Sequence, residues 1–228
     1  MNRPAFAIWL LTTFVALILS GCAGTPAPPQ RSAEDLRLSA ESHITDRQFS
    51  AAAAELAAAF KLAPDDADHA LRYGEILEVL SRWQDARTHY QKILERLPPE
   101  HPRRNEFIYR LTLLALFKLD DPETAKRLSQ QLSANSAAYY DIQGVLTARD
   151  GDMRGALRFF NRGLAAQPSK EVAARILQHA TTAYVRLDQI PAAFGTLFNA
   201  INLAGRKPAL EKEIEADWSA LKEKYGEY

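Results

Sequence analysis

Cysteine is almost absent from the sequence, since Cys22 is the only one among 228 residues. A single thiol cannot form an internal disulfide, which excludes a small disulfide-stabilised scaffold. It also excludes a zinc site built on several cysteines. Glycine and proline are sparse as well, with ten and twelve residues. Because alanine and leucine are abundant instead, the composition favours helices.

A net charge of either sign is also lacking. The chain has 28 basic and 28 acidic residues, and removal of the N-terminal segment described below takes away only Arg3. The remainder then has 27 basic against 28 acidic residues, or a formal charge of −1. Because so neutral a chain has no overall field that attracts a phosphate backbone, we expect no nucleic-acid partner.

Motifs of catalysis and of metal binding are missing too. No two of the five histidines are four residues apart, and none has a nearby cysteine. Neither a Gly-rich phosphate loop nor a Gly-x-Ser-x-Gly motif occurs. We therefore expect no enzyme, no cofactor and no small-molecule substrate, with an unrecognised hydrolase as the remote alternative. The most metal-like run, Asp65 to His69, lies between two predicted repeats, where we interpret its acids as helix caps.

One long apolar run, Phe6 to Leu19, follows Arg3 and is broken only by Thr12 and Thr13. As a helix with about 1.5 Å per residue it spans roughly 21 Å, which is short for a hydrocarbon core of about 30 Å. A positive start followed by a short apolar run is typical of an export signal rather than a membrane span. We predict a signal peptide over residues 1–21.

The four residues at the end of this segment, Leu19-Ser20-Gly21-Cys22, resemble the bacterial lipobox. The resemblance implies cleavage before Cys22 and attachment of acyl chains, such as palmitate, to that residue; an uncleaved signal anchor is the alternative. Several acyl chains form a lasting anchor at about 0.8 kcal/mol per buried methylene. In enterobacteria, Asp directly after the lipidated cysteine resembles the signal that retains a lipoprotein in the inner membrane. This chain has Ala23 at that position, which favours the outer membrane and its periplasmic side. Residues 22–32 are proline-rich and are predicted to form a disordered tether.

A repeated pattern follows the tether. Six residues recur at an offset of 34 positions, first as Ala40, Phe49, Ala52, Leu56, Phe60 and Pro64, then as Gly74, Trp83, Ala86, Tyr90, Leu94 and Pro98. This spacing of small residue, aromatic residue, alanine and proline resembles the tetratricopeptide repeat (TPR). The resemblance implies an all-α, right-handed TPR solenoid of about five helix hairpins. Small residues would lie where two helices cross, and proline would end the second helix.

We place five repeats over residues 33–207. Four residues, His-Pro-Arg-Arg, are inserted after Glu100, and the repeat that follows is the weakest because Ser136 replaces its terminal proline. Position eight is small in every repeat: Ala40, Gly74, Thr112, Gly144 and Thr181. The predicted repeats span 33–66, 67–100, 105–136, 137–170 and 174–207.

Several residues predict where helices begin and how the solenoid ends. Asp121 and Asp152 are suited to cap helices, and Pro122 and Pro191 suit a first helical turn. Residues 208–228 are expected to form a last helix, which covers the end of the stack. A partner-binding helix is the alternative for this segment. Its apolar face consists of Leu210, Ile214, Trp218, Leu221 and Tyr225.

The resemblance also implies a concave groove lined by positions two, five, nine and twelve of each first helix. A lining that is acidic at one end and apolar in the middle suits a helix or an extended peptide. Leu113 and Leu116 have core packing as their alternative interpretation. The predicted partner-binding residues are Arg37, Glu41, Glu75, Glu78, Tyr109, Leu113, Leu116, Asp141 and Val145, with Leu71, Ala148, Gln178 and Thr182 at equivalent positions.

A lipid-anchored TPR chain of this length resembles the pilotins of type IV pilus secretins and other periplasmic adaptors. The resemblance implies an adaptor that binds envelope proteins or peptides and helps to assemble an envelope machine. The alternative is a scaffold for exopolysaccharide export or for cell-wall synthesis enzymes.

Overall fold

The chain consists of helices joined by short turns in the computed structural model, which describes residues 31–205 and 207–226. No strand occurs within those residues, and the predicted all-α fold is confirmed. The predicted signal peptide, Cys22 and most of the tether lie outside the described residues. The eleven helices of the described part are α1 Ala33–Thr45, α2 Phe49–Leu62, α3 Ala67–Val79, α4 Trp83–Arg96, α5 Arg104–Phe117, α6 Pro122–Ser129, α7 Ala137–Arg149, α8 Met153–Ala165, α9 Lys170–Arg186, α10 Ile190–Ala204 and α11 Pro208–Tyr225.

Consecutive helices pair as hairpins, α1 with α2 through to α9 with α10, and the hairpins stack in chain order. Each turn inside a hairpin contains one residue with a left-handed backbone, and only one of the five is glycine. Four of these turns share one length and one hydrogen-bond pattern, whereas the turn at Asp120 is one residue longer and pairs the Asp121 amide with the Ala115 carbonyl oxygen. The five residues are Arg47, Ser81, Asp120, Gly151 and Asp188, with φ values of 58°, 58°, 48°, 94° and 58°.

The seam within a hairpin depends on the small residue at position eight. A Cβ atom built on Gly74 would lie 2.1 Å from Cε1 of Tyr90, and one built on Gly144 would lie 2.3 Å from Cε1 of Phe160. Both aromatic rings are fully buried. The absence of a side chain at position eight is thus what allows an aromatic ring at position twenty-four.

The sequence-based predictions of the helix starts are confirmed. The Asp121 carboxylate accepts a hydrogen bond from the Thr124 amide at 3.0 Å, and Asp152 accepts one from Gly155 at 2.7 Å. In the acidic run from Asp65 to His69, Asp66 likewise caps α3, while Asp68 pairs with Arg103. Pro122 and Pro191 lie in the first turns of α6 and α10, where no intrahelical amide bond is lost.

The third repeat departs from the others. Its second helix, α6, has only eight residues. The four-residue insertion before α5 ends in Arg104, whose Nη1 atom donates to the carbonyl oxygens of Leu94 and Leu97 at 2.9 and 2.8 Å. These carbonyls lie at the end of α4 and have no intrahelical donor. The inserted residues therefore cap the preceding repeat.

Helix α11 covers the end of the stack, as predicted. Leu210, Ile214 and Leu221 are buried against α9 and α10, and the Trp218 ring lies edge-on to Phe194 with 5.5 Å between centroids. The same helix also contacts α3 in the second repeat. It therefore crosses the stack in addition to capping it. No helix in the described part of the chain is both long and apolar enough to span a membrane.

Candidate partner-binding face

The inner face is the surface formed by the first helices of the hairpins, α1, α3, α5, α7 and α9, together with α11. Polar side chains link these helices in chain order. Arg72 on α3 binds Glu41 on α1 through two hydrogen bonds of 2.8 and 2.7 Å. Arg110 on α5 binds Glu75 on α3 at 2.5 Å. Ion pairs thus join neighbouring repeats on the inner face, whereas the seams within each repeat are mainly apolar.

Glu75 is the centre of this network, and its side chain is only 6% exposed. Besides Arg110, it accepts a hydrogen bond of 2.8 Å from Arg72 and one of 2.6 Å from Lys207, the residue before α11. Burial by itself disfavours its charge, but Arg110, Lys207 and Arg72 outweigh that effect and lower the pKa of Glu75 to about 2. Lys207 also lies 3.0 Å from Glu171 on α9, which Arg110 contacts as well.

The Glu75 cluster, as we define it, contains three acids and three bases, so its formal charge is zero. Its members come from α1, α3, α5 and α9 and from the residue before α11. The cluster therefore joins the start of α11 to the second and third repeats. Its six residues are Glu41, Arg72, Glu75, Arg110, Glu171 and Lys207.

A second polar group surrounds Glu213 on α11. Lys118 Nζ at the end of α5 lies 2.8 Å from the Glu213 carboxylate, and Arg175 on α9 donates to the same carboxylate. Burial raises the pKa of Glu213, but Arg175 and Lys118 more than offset it, so its pKa is lowered. One turn later, the Gln178 amide donates to Asp217 at 2.7 Å. These contacts hold α11 against α5 and α9.

Asp141 on α7 is fully buried and joins the middle of the inner face to its C-terminal part. Its carboxylate accepts a hydrogen bond of 2.6 Å from the Tyr109 hydroxyl and lies 2.9 Å from Nδ1 of His179 on α9. Burial, together with the charge of Asp141, raises the pKa of Tyr109 well above its usual value. The hydroxyl therefore stays protonated and donates.

Two clefts remain open on the inner face, one on each side of α11. The first, of about 370 Å³, lies between α5, α9 and α11, with Glu78 of α3 in its lining. The second, of about 440 Å³, lies between α1, α3 and α11 and has an apolar floor of Ile44, Phe49 and Val79. Because α11 occupies the middle of the inner face, the single continuous groove expected from the sequence is divided in two.

Three of the nine predicted partner-binding residues line these clefts: Glu78 and Leu113 in the first, and Glu41 in the second. Two of the equivalent positions, Gln178 and Thr182, also line the first cleft. Arg37 lines neither and pairs instead with Glu34 at 2.5 Å on α1.

The other five predicted residues are buried and occupied by contacts within the chain, which corrects the expectation that they face an open groove. Leu116 and Val145 belong to the apolar core, so the core interpretation holds for Leu116, whereas Leu113 is only partly buried. The reason is that α5 is almost completely enclosed by its neighbours and α11 covers the charged middle of the face. The five residues are Glu75, Tyr109, Leu116, Asp141 and Val145. The binding role of all nine stays a prediction.

The sequence reasoning missed the basic half of the network. Arg72 and Arg110 both stand at position six of their repeats, and each binds the acid at position nine of the preceding repeat. That pairing of position six with position nine is visible in the sequence and would have identified both arginines. For Lys207, which lies 132 residues from Glu75, the sequence contains no such signal. The described residues contain no cluster of His, Cys, Asp and Glu suited to hold a metal ion.

Comparison with known proteins supports the first two predicted repeats. A family model of the tetratricopeptide repeat matches residues 38–102. A search of the curated proteins gave no match. Among solved structures, the chain resembles the APC/C hetero-tetramer Cut9-Hcn1 with a TM-score of 0.63 and 14% identity, over 85% of this chain but only 37% of that one.

A second similar structure is PilW, described as a widely conserved type IV pilus biogenesis factor. Its TM-score is 0.55 at 15% identity, and the match covers 85% of this chain and 93% of PilW. Identities this low establish the fold alone. The fold is a TPR solenoid with a C-terminal capping helix, as predicted.

Proposed function

We propose that this chain is an adaptor that binds protein partners through the clefts of its inner face. The observation that carries the proposal is that two open clefts flank α11 on the ion-paired inner face of the described residues, both of a size that accepts side chains of a partner. TPR stacks present their first helices to a ligand in this way, and a peptide or helix with one apolar face suits such a surface.

The proposal places the chain on the periplasmic side of the bacterial outer membrane, held by acyl chains on Cys22. The lipobox-like residues Leu19 to Cys22 and Ala23 support this location. Replacement of Cys22 by Ser should abolish labelling with radioactive palmitate. Labelling of Cys22→Ser at the level of the native chain would contradict the lipid anchor.

Assembly of a type IV pilus or a secretin-like pore is the role that we favour. Its support is the predicted lipoprotein layout together with the resemblance to PilW, almost the whole of which this chain matches. A scaffold for exopolysaccharide export or for cell-wall synthesis enzymes is the alternative. Such a scaffold would bind different partners through the same clefts of the inner face.

Site-specific crosslinking tests the role. A photoreactive residue at Leu113, in the first cleft, should capture a pilus or secretin subunit in intact cells, identified by mass spectrometry. The same residue at Arg158, whose side chain on α8 is 73% exposed, is the matched control and should not capture that subunit. Capture of polysaccharide-export or cell-wall proteins from Leu113 instead would favour the scaffold.

Leu113→Glu tests whether the first cleft is required. Leu116 is unsuitable for the same substitution because it is 2% exposed and a charge there would disrupt the core. The control is Leu62→Glu, at an exposed position on α2. We expect Leu113→Glu to lose the partner and Leu62→Glu to keep it. A folded Leu113→Glu chain that keeps the partner would contradict the proposed binding face.

A further inference from the structure

The first cleft has one acid more than it has bases. The acidic residues of its lining are Glu78, Glu213 and Asp217. The basic ones are Lys118 and Arg175, so the formal charge of the lining is −1. Both bases bind the same carboxylate, that of Glu213. Glu78 and Asp217 are therefore left without a basic partner among the residues that line the cleft.

Arg110, the next base towards the interior, does not make up the difference. Its Nη2 atom binds Glu75 and Glu171 in the Glu75 cluster, whose three acids and three bases already balance. Only Nη1 reaches Glu78, at 3.4 Å, and the close donor to the Glu78 carboxylate is the Tyr90 hydroxyl at 2.6 Å. Burial raises the pKa of Glu78, and Arg110 and Tyr90 offset this effect only in part.

One further acceptor among the lining residues, on α9, has no donor from any described residue. Gln178 donates its amide nitrogen to Asp217, while its Oε1 atom is buried and has no hydrogen-bond partner in the described part of the chain. A buried acceptor without a donor costs about 1–3 kcal/mol. The cleft thus presents two carboxylates, those of Glu78 and Asp217, that a donor from outside could reach, while the Gln178 amide oxygen lies buried behind them.

The residues of α5 in the lining are apolar. They include Leu113 and Phe117, and Phe117 is 45% exposed although its ring stacks on His179 with 5.1 Å between centroids. The guanidinium carbon of Arg149 already lies 5.5 Å from the centre of the Phe117 ring. Basic side chains place their methylene stems on such surfaces and keep the charged end at polar groups.

We propose that the first cleft binds a basic side chain of a protein partner, with arginine preferred over lysine. The stem lies along Leu113 and the edge of Phe117, and the guanidinium donates to Glu78 and Asp217. The planar group has five donors, which suits two carboxylates better than the single ammonium of lysine does. This inference rests on the proposed function and specifies the partner segment that the same cleft recognises.

Binding of three labelled peptides to the full-length chain in detergent tests the proposal. The peptides share a short leucine- and alanine-containing sequence and differ at one central residue, which is arginine, citrulline or glutamate. Citrulline keeps the shape of arginine without its charge. We expect the arginine peptide to bind at least about tenfold more tightly than the citrulline peptide, measured by fluorescence anisotropy, and the glutamate peptide to bind most weakly. Equal affinities for arginine and citrulline would overturn the proposal.

Variants of the chain locate the binding. Glu78→Gln keeps an acceptor for Tyr90, and Asp217→Asn keeps one for Gln178, so each variant should melt near the native temperature. We expect each to weaken the arginine peptide about five- to tenfold and to leave the citrulline peptide unchanged. Glu223→Gln, at an exposed position on α11 that lines neither cleft, is the matched control and should change neither. A loss as large in Glu223→Gln would assign the effect to general charge and would overturn the site.

The outcomes also separate this inference from the proposed function. If crosslinking at Leu113 captures an envelope protein while the arginine peptide shows no preference, the basic-residue site is wrong and the adaptor role stands. If the arginine peptide binds as expected while crosslinking captures no envelope protein, the cleft chemistry stands and the adaptor role fails.

Discussion

The seams within the hairpins and the inner face across them are built on opposite principles. Each seam joins two helices that are close in sequence, and most of its buried residues are apolar, as in the contact between Gly144 and Phe160. The inner face joins residues up to 132 positions apart through buried charges, as between Glu75 and Lys207. The seam recurs in every repeat, whereas, among the described residues, the ion pair from position six to position nine of the preceding repeat links only the first three repeats.

The difference shows how a solenoid separates structure from specificity. A seam needs complementary sizes only, so a single pattern serves every repeat. The inner face has a different set of charges in every repeat and therefore carries the features that distinguish this chain from other stacks of the same fold. It is also where the C-terminal helix is held and where the two clefts lie.

The largest expected effect belongs to the seam. Phe160→Ala should lower the free energy of unfolding by about 3–5 kcal/mol, because it leaves a cavity in a ring site with 1% exposure. Denaturant unfolding followed by circular dichroism measures this. Phe198→Ala, at a position 54% exposed, is the control and should change the free energy by no more than about 0.5 kcal/mol.

A double substitution in the fourth repeat tests whether positions eight and twenty-four fill one shared space. The first repeat combines Ala40 with Leu56, so Gly144→Ala together with Phe160→Leu should be less destabilising than the sum of the two single changes. Strict additivity would mean that position eight and position twenty-four do not share one space.

On the inner face, Glu75→Gln should cost about 3 kcal/mol because Arg110, Arg72 and Lys207 lose a common buried partner. The pKa of Glu75 falls from 4.5 to about 2 on folding, so its contribution is present above pH 4.5 and is lost as the pH falls from 4.5 towards 2. Unfolding measured over this range should show a steeper loss of stability in the native chain than in Glu75→Gln.

Glu95→Gln, at an exposed position on α4, controls for the loss of any one carboxylate and should follow the native pH dependence.

Glu78 affects the pH dependence of stability in the opposite direction from Glu75. Because the pKa of Glu78 is raised on folding, Glu78 contributes more to the free energy of unfolding as the pH falls through that pKa. The Glu78→Gln chain should lack this gain in stability at low pH, whereas Glu75→Gln lacks a loss. The same pH profile for both variants would show that the two carboxylates are not in different environments.

The attachment of α11 should show a smaller effect. Lys207→Met removes the contacts to Glu75 and Glu171, and because the lysine is partly exposed we expect a cost of about 1 kcal/mol. The first turns of α11 should then exchange their amide hydrogens several-fold faster, measured by mass spectrometry. Lys212→Met, on an exposed part of α11, should leave exchange unchanged. Equal exchange in both variants would mean that apolar packing alone holds the start of the helix.

The smallest effects concern the turns. Gly151→Ala should cost about 1 kcal/mol through its backbone alone, since φ is 94° and an added Cβ would meet nothing within 4 Å. Ser81→Gly, at φ 58° in the matching turn of the second repeat, should stabilise the chain by about 0.5 kcal/mol. Thermal unfolding of the two variants should therefore shift in opposite directions. Shifts in the same direction would show that the two turns are not equivalent.

Much of the fold could be predicted from the residues. The small residues at position eight, the caps at Asp121 and Asp152 and the apolar stripe of the last helix each follow from local rules that act within a few turns of helix. The candidate site could be predicted only in part. Glu41, Glu78 and Leu113 were placed on the inner face by register, but the register did not say that α11 would cross that face and bury the residues between them.

The seams and the order of the repeats depend on side-chain size at fixed spacing in neighbouring helices, so both can be inferred from the residues alone. The division of the inner face depends instead on contacts between helices that are far apart in the chain. The contact of Lys207 with Glu75 depends on the accumulated rotation of the intervening helices, which no local pattern encodes. The same rotation leaves Glu78 and Asp217 facing an open cleft and surrounds Glu75 with three bases.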